Sequence, residues 1–234
     1  MFYPLPKKIQ LDASQAKWAL SSTESVLLLL GLNELQQEND FQNSELNQHF
    51  NVLMKKAKAL DIPVVSLSAN EMMQGMMLLG EQLSLRKQLI VTGKISAQAK
   101  QLLEYLNSVT ENICVIDDAI LLTNIEQHIQ WIESISKQKI HHINTYNLLR
   151  LWSLSAPKEF ILSSKGILLV IAEALDIEPL EIDPNQYLSS YGLNSVSIVS
   201  LVELWRVNGS NIRYEDFKPD LTLASLMNYL VNPH

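Results

Sequence analysis

Short apolar segments alternate with amphipathic segments along the first 150 residues of the chain. Five segments rich in Val, Ile and Leu predict strands that are buried on both faces, at residues 25–32, 62–68, 88–92, 113–116 and 140–143. Between and after them, apolar residues at helical spacing predict helices at 44–60, 71–83, 97–106, 124–135 and 145–152. This alternation is typical of a doubly wound α/β domain whose parallel sheet has about five strands. The expected strand order is 2-1-3-4-5.

From residue 159 onward the apolar positions predict helices only, as in a small four-helix bundle. The expected elements are a first helix near 159–175, a long loop with two prolines, a helix over 195–205, a helical turn near 214–217 and a last helix near 223–230. The stretch 153–158 contains Pro157 and is the best linker candidate. We therefore expect an α/β domain at 1–152, a linker at 153–158 and a helical domain at 159–234.

The segment Tyr191-Gly192-Leu193-Asn194-Ser195 lies directly before a predicted helix. Gly192 suits a turn, Asn194 can cap a helix, and Ser195 takes the first helical position. A hydroxyl there lies where backbone N–H groups and the helix dipole favour a phosphate. The segment lacks a Gly-x-Ser-x-Gly elbow and a neighbouring His or acid, so it does not predict a hydrolase triad. Two interpretations stay open: a serine that receives a phosphodiester, or an ordinary helix cap.

The segment from residue 159 to 230 resembles the carrier domains of nonribosomal peptide assembly lines, in particular the aryl carrier subtype. That family attaches phosphopantetheine to the serine of a Gly-x-Asp-Ser motif, which here reads Gly192-Leu193-Asn194-Ser195. The resemblance implies that Ser195 binds phosphopantetheine covalently. Asn194 departs from the family's aspartate. It keeps the capping geometry but lacks the negative charge, so partner electrostatics are expected to differ.

The first domain resembles the isochorismatase part of the bifunctional isochorismatase–aryl carrier proteins of catechol siderophore biosynthesis. The similarity lies in Pro4-Leu5-Pro6, in Trp18, and in the predicted strands at 25–30, 62–65 and 88–93. The resemblance implies the isochorismatase-like fold and, because this family tends to form oligomers, a possible homo-oligomer.

The functional positions of that family match poorly. Glu34 stands closest to the family's aspartate, but its extra methylene would displace the carboxylate. Nothing between Ser68 and Lys87 corresponds to the family's lysine-bearing strand, and Lys100 or a neighbour takes its Cys or Gly position. We therefore interpret the first domain as a catalytically inactive scaffold, a pseudoenzyme with Glu34 at a degenerate position. The alternatives are an active isochorismatase that yields 2,3-dihydro-2,3-dihydroxybenzoate and pyruvate, and a pure interaction module.

The combined resemblance implies an aryl carrier protein in siderophore-type biosynthesis. A phosphopantetheinyl transferase would load Ser195, and an aryl-adenylating ligase would attach 2,3-dihydroxybenzoate or salicylate as a thioester. A condensation domain of a nonribosomal peptide synthetase would then accept the acyl group. By comparison with aryl carriers, Val196, Val199 and Tyr214 should form an exposed apolar face for these partners.

Composition and charge limit the kinds of partner and the location that the sequence predicts. A net charge of −7 argues against nucleic acid as the main partner. The longest apolar run, at 26–30, is far too short to span a bilayer, and no secretory signal pattern begins the chain, so we expect a cytoplasmic protein without membrane association. Cys114 is the single cysteine and should be a small buried residue.

Two further clusters admit structural explanations. His141 and His142 are neighbours on a predicted strand, so their rings should point to opposite faces and not share a metal. The methionines of the segment Met72-Met73-Gln74-Gly75-Met76-Met77 could form a pliable partner surface or pack against the sheet, and packing is the favoured interpretation.

Overall fold

The computed structural model describes residues 2–6, 18–110, 112–138 and 140–231. The chain divides into two compact units, Met1–Ser155 and Ala156–His234. None of the helices in the described ranges is long and apolar enough to cross a membrane.

The N-terminal unit is built on a five-stranded sheet with the order β2-β1-β3-β4-β5, in which every pairing is parallel. The strands are β1 (Ser25–Leu30), β2 (Val64–Leu67), β3 (Gln88–Lys94), β4 (Ile113–Leu121) and β5 (His141–Ile143). The helices of this unit are α1 (Leu32–Gln36), α2 (Glu45–Ala59), α3 (Met72–Leu85), α4 (Ala97–Val109), α5 (Ile125–Ser136) and α6 (Thr145–Leu154). The predicted doubly wound parallel sheet is confirmed.

Apolar clusters cover both faces of the sheet, which explains why the strands lack polar alternation. One cluster joins alternate strand residues to side chains of α3, α4 and α5, among them Leu79, Leu103 and Ile132. The opposite cluster joins the intervening strand residues to α2 and α6, with Trp152 at its centre. Cys114 belongs to this second cluster, and burial raises the pKa of its thiol.

Strand β4 runs five residues further than the sequence predicts, from the expected end at Ile116 to Leu121. In a sequence, neighbouring carboxylates such as Asp117 and Asp118 indicate the end of a buried strand, because carboxylates are rarely buried without partners. In the structure both carboxylates are buried, and each has a hydrogen-bond partner. Asp117 Oδ2 lies 3.1 Å from His142 Nδ1, and Asp118 Oδ1 accepts hydrogen bonds from the Thr145 amide and hydroxyl.

The C-terminal unit is helical, as predicted. Its α-helices in the described ranges are α7 (Lys158–Ile161), α8 (Ser164–Leu175), α9 (Ser195–Val207) and α10 (Leu223–Val231). The helical turn expected near 214–217 is a 3₁₀ turn at Tyr214–Asp216. The core contains Ile167, Ile171, Leu201, Trp205 and Leu226.

The predicted single helix over 159–175 is wrong, because it is divided into α7 and α8. Ser163 ends the first segment and caps the second, where its Oγ accepts a hydrogen bond from Gly166 N at 3.1 Å. A Cβ at position 166 would lie 1.9 Å from the Phe160 carbonyl oxygen. The turn therefore requires the close backbone approach that only glycine permits.

Candidate functional site

The start of α9 is defined by two residues with special backbone roles. Gly192 ends the short 3₁₀ helix Leu188–Tyr191 with a φ of +88°, a conformation that favours glycine. Asn194 is extended, and its side-chain oxygen accepts a hydrogen bond from Ser197 N at 2.9 Å. The chain therefore turns at Gly192 and is capped at Asn194, so that α9 begins at Ser195.

The segment before the helix is fixed to the rest of the unit. Tyr191 Oη accepts a hydrogen bond from Asp183 N at 2.8 Å, and Ser189 Oγ donates to the Pro219 carbonyl at 2.7 Å. Leu188 N donates to the Leu221 carbonyl at 2.9 Å. These bonds connect the long loop to the residues before α10, and so give the serine a defined position.

Ser195 is exposed, and its hydroxyl makes no hydrogen bond to another residue in the described ranges. It lies at the N-terminus of a 13-residue helix whose first turn contains no acidic side chain. Free N–H groups and the helix dipole make such a position favourable for a phosphodiester. The residues present thus fit a phosphopantetheine group, while nothing around the hydroxyl resembles the His–acid pair that activates a serine nucleophile.

Comparison with known proteins adds an independent finding. Residues 165–230 match the family model described as the phosphopantetheine attachment site. The C-terminal unit carries phosphopantetheine as a covalent cofactor. The matched range contains α9 and nearly all of α8 and α10. It begins at residue 165 and so includes no part of the N-terminal unit. No curated protein matches the chain.

The surface beside Ser195 is apolar. Val196 and Val199 of α9 are 76 % and 57 % exposed, and Tyr214 is 48 % exposed. The opposite side of α9 packs into the core through Leu201, Val202, Leu204 and Trp205, whereas Ile198 is only half-buried.

In the N-terminal unit, Glu34 lies in α1, directly after β1, which is the strand beside the edge strand β2. Its Oε1 accepts a hydrogen bond from Ala69 N at 2.8 Å. Its Oε2 is buried without a hydrogen-bond partner among the described residues. The hydrogen bond to Ala69 N connects the carboxyl end of β1 to the residues after β2.

A cation that the sequence analysis did not single out lies at the same edge of the sheet. Lys94 ends β3, and its Cβ lies 3.1 Å from the point where a Cβ on Gly31 would be, while Glu34 Oε2 lies 3.5 Å from that point. The Lys94 ammonium forms an ion pair with Glu38 Oε1 at 2.9 Å. Lys100, which was compared above with the family's Cys or Gly position, lies in the first turn of α4.

A second group of polar residues, also missed, surrounds the carboxyl half of β4. His142 pairs with Asp117, and this hydrogen bond raises the pKa of His142 against the effect of burial. His128 bonds the Asp117 carbonyl through Nε2 at 2.8 Å and Tyr3 Oη through Nδ1 at 2.9 Å, and burial lowers the pKa of His128. The signal in the sequence is the pair Asp117-Asp118, which stands between apolar residues directly after the predicted strand end at residue 116.

The two neighbouring histidines of β5 have separate partners. His141 Nε2 bonds the Trp18 carbonyl at 3.0 Å, whereas His142 bonds Asp117. Within the described ranges, no group of three or more His, Cys, Asp or Glu side chains could hold a metal ion.

Proposed function

We propose that this protein is an aryl carrier in nonribosomal, siderophore-type biosynthesis, with Ser195 as the attachment serine and the N-terminal unit as an inactive scaffold. The observation that carries the proposal is the exposed Ser195 hydroxyl at the capped start of α9, which makes no hydrogen bond to another of the described residues. Other serines of the same helix are less suited. Ser200 lies in the second turn, where its Oγ donates to the Val196 carbonyl at 3.2 Å.

Attachment would use coenzyme A and a phosphopantetheinyl transferase. The Ser195 oxygen would form the new P–O bond as its proton leaves, and the adenosine bisphosphate part of coenzyme A would depart. The chain itself would position the reacting groups. Asn194 caps the helix so that α9 begins at Ser195, and N–H groups of the first turn would face the incoming phosphate. The thiol of the attached group supplies the thioester chemistry for the cargo.

The proposed cargo is an aryl acid, 2,3-dihydroxybenzoate or salicylate, on the strength of the aryl carrier resemblance. Val196, Val199 and Tyr214 would contact the adenylating ligase and the condensation domain, because an exposed apolar patch of this kind marks an interaction surface. The neutral Asn194 removes one negative charge from this surface, so partners that recognise it would depend more on apolar contact.

Intact mass measurement tests the attachment site. Incubation of the full chain with coenzyme A and a promiscuous transferase should add one phosphopantetheine, and Ser195→Ala should abolish the addition. Ser200→Ala is the matched control and should load like the wild type. Modification that persists in Ser195→Ala would move the site to another serine.

The cargo is tested on the loaded chain. An aryl-adenylating ligase and ATP should add the mass of one aryl group with 2,3-dihydroxybenzoate or salicylate, and not with an aliphatic amino acid. Val199→Asp should slow transfer to a condensation domain while the helical circular dichroism signal stays unchanged. A large fall in melting temperature for this variant would instead assign Val199 a packing role.

The scaffold assignment rests on the internal use of the polar groups near β1. Glu34 accepts a backbone amide through Oε1 and Lys94 is paired with Glu38, so both groups already hold parts of the fold together, which supports the scaffold assignment. We expect no turnover of isochorismate above a no-enzyme control. Pyruvate production that disappears in Glu34→Gln would contradict this part of the proposal and leave the carrier assignment untouched.

A further inference from the structure

Helix α3 contains a concentration of methionine that its packing does not require. Four of the seven methionines of the chain lie within residues 72–77, as Met72, Met73, Met76 and Met77. Leucine has a similar helix propensity and a similar volume, so neither helix formation nor packing explains why methionine is repeated here. The sulfur atom distinguishes the two side chains. Thioether sulfur is a soft ligand, and soft ligands select soft ions such as copper(I).

Two of these methionines are held out towards solvent. Met73 and Met77 are 81 % and 72 % exposed, and Met72 is 41 % exposed. Met76 is half-buried and packs against the core cluster that α3 covers. The packing against the sheet that the sequence favoured is therefore confirmed for Met76 and is wrong for Met73 and Met77. Their side chains are accessible to a ligand that arrives from solvent.

The inner side of α3 determines which way the methionines point. Gly75 is buried against β2, where a Cβ would lie 2.7 Å from the Ser66 carbonyl oxygen, and Leu79 is buried in the core cluster. Residues two positions apart on an α-helix point in nearly opposite directions. Met73 and Met77 each stand two positions from Gly75, so they project away from the sheet. The close contact at the glycine thus fixes the side of the helix that carries the exposed methionines.

The spacing brings the thioether groups within reach of one ion. Met76 and Met77 follow Met73 at three and four residues, and such neighbours on a helix have Cβ atoms about 5–6 Å apart. Met72 stands four residues before Met76. Helical side chains lean towards the N-terminus, so Met76 and Met77 lean over the turn that carries the other two. The three rotatable bonds of each methionine allow its sulfur to turn towards a common point.

The charges of this helix suit a cation. α3 contains no basic residue, and its one charged side chain is Glu81. Glu81 is exposed and lies one turn after Met77 on the same side of the helix. Arg86, the first basic residue after the helix, donates its guanidinium hydrogen bonds to three backbone carbonyls. A set of neutral thioethers leaves the charge of a bound ion uncompensated, and the Glu81 carboxylate supplies a countercharge one turn away.

We propose that the outer face of α3 is a binding site for a soft monovalent metal ion of the copper(I) class, with the thioether sulfurs of Met73, Met76 and Met77 as ligands. Met72 is in position to supply a fourth sulfur. Hard ions such as Mg²⁺ and Ca²⁺ take oxygen ligands and do not compete for this site. The proposal is independent of the carrier function and of the attachment serine.

Silver(I) is the first probe, because it is a soft monovalent ion that needs no reductant. Calorimetric titration of the full chain with silver nitrate, in a buffer without chloride, should show one bound ion per chain. Combining Met73→Leu with Met77→Leu removes two sulfurs and keeps volume and helix propensity, so the circular dichroism spectrum should not change. Loss of an outer-shell partner alone costs roughly 10–100-fold in metal affinity, so the double substitution should weaken silver binding by at least about tenfold.

Two control variants separate this site from other sulfur atoms. Met54 of α2 is exposed and has no methionine one turn away, so Met54→Leu should bind silver like the wild type. Cys114 is fully buried, so Cys114→Ala should leave the affinity unchanged. A wild type that binds no silver overturns the proposal. Binding that survives the double substitution at Met73 and Met77, or that disappears in Cys114→Ala, overturns it as well, because another group would then hold the ion.

Copper(I) itself tests the identity of the ligands. X-ray absorption at the copper edge, on the full chain loaded with copper(I) under argon, should show only sulfur atoms around the metal. Nitrogen or oxygen neighbours would place the ion on a histidine or a carboxylate and would contradict the thioether site. An excess of magnesium should leave the spectrum unchanged, because thioethers do not bind a hard ion.

Discussion

The N-terminus of α9 and the carboxyl edge of the parallel sheet both gather polar side chains at the ends of regular elements, and they differ in what those side chains contact. At α9, Asn194 caps the helix, and the neighbouring Ser195 is exposed and has no hydrogen-bond partner among the described residues. At the sheet edge, Glu34 and Lys94 are each bonded within the unit. The comparison separates polar groups that are available to a ligand from polar groups that the fold already uses.

The largest loss of stability is expected for Asp118→Ala, in the sheet of the N-terminal unit. Asp118 Oδ1 accepts two hydrogen bonds of 2.7 Å from Thr145 at the start of α6, and both donors would lose a charged acceptor. We expect the N-terminal unit to lose roughly 3 kcal/mol of unfolding free energy. Thermal denaturation measures the loss, and Asp118→Asn, which retains one acceptor oxygen, should cost less. Transferase loading of the carrier unit should persist, and its loss would show that the two regions are not independent.

A smaller effect is expected at the start of α9. Asn194→Ala removes the side chain that accepts the Ser197 amide, and should cost the carrier unit about 1 kcal/mol. Asn194→Asp retains the acceptor and should stay within a few tenths of a kcal/mol of the wild type. Urea unfolding followed by circular dichroism distinguishes the two. If both substitutions were equally harmful, the amide nitrogen of Asn194 would have to make a contact that capping does not explain.

The smallest net effect is a pH dependence of the N-terminal unit, because its histidines contribute with opposite signs. Burial holds the pKa of His128 below its ordinary value of 6.5, so as pH falls the unfolded chain takes up this proton before the folded one does. The contribution of His128 to stability is therefore present above pH 6.5 and declines below it, by at most about 1.4 kcal/mol per pH unit. His141 acts in the same direction, and His142, whose pKa is raised, acts in the opposite one.

Urea unfolding at several pH values between 5 and 8 measures this dependence. His128→Gln should reduce the slope below pH 6.5, whatever its effect on stability at neutral pH. An unchanged slope would mean that His128 takes up its proton equally in the folded and unfolded chain.

The elements that sequence predicted best are those in which one physical cause dominates. The strands β1 and β3 are continuous apolar runs, and their alternation with helices predicts that they pair in parallel. Asn194 and Gly192 mark the start of α9 by local backbone chemistry, which a sequence displays directly. These features need no knowledge of distant contacts.

The features that sequence missed depend on partners far along the chain. Asp117 continues a strand because His142 meets it 25 residues later, and Lys94 is paired with Glu38 across 56 residues. The division between α7 and α8 depends on a close approach between Gly166 and Phe160 that helical periodicity does not reveal. Long-range pairing therefore sets the limit of the sequence argument here.

Trp152 has a consequence for the order of events during synthesis. Its indole is fully buried beneath the sheet, and Nε1 donates a hydrogen bond to Ser25 Oγ at 3.0 Å, 127 residues earlier in the chain. Ser25 Oγ itself donates to the nearby Ser21 carbonyl at 2.6 Å, so it is the buried indole N–H that is satisfied only once one of the last residues of the unit meets the first strand. Since long-range contacts of this kind form slowly, the N-terminal unit should complete its folding only as the carrier segment is itself being translated.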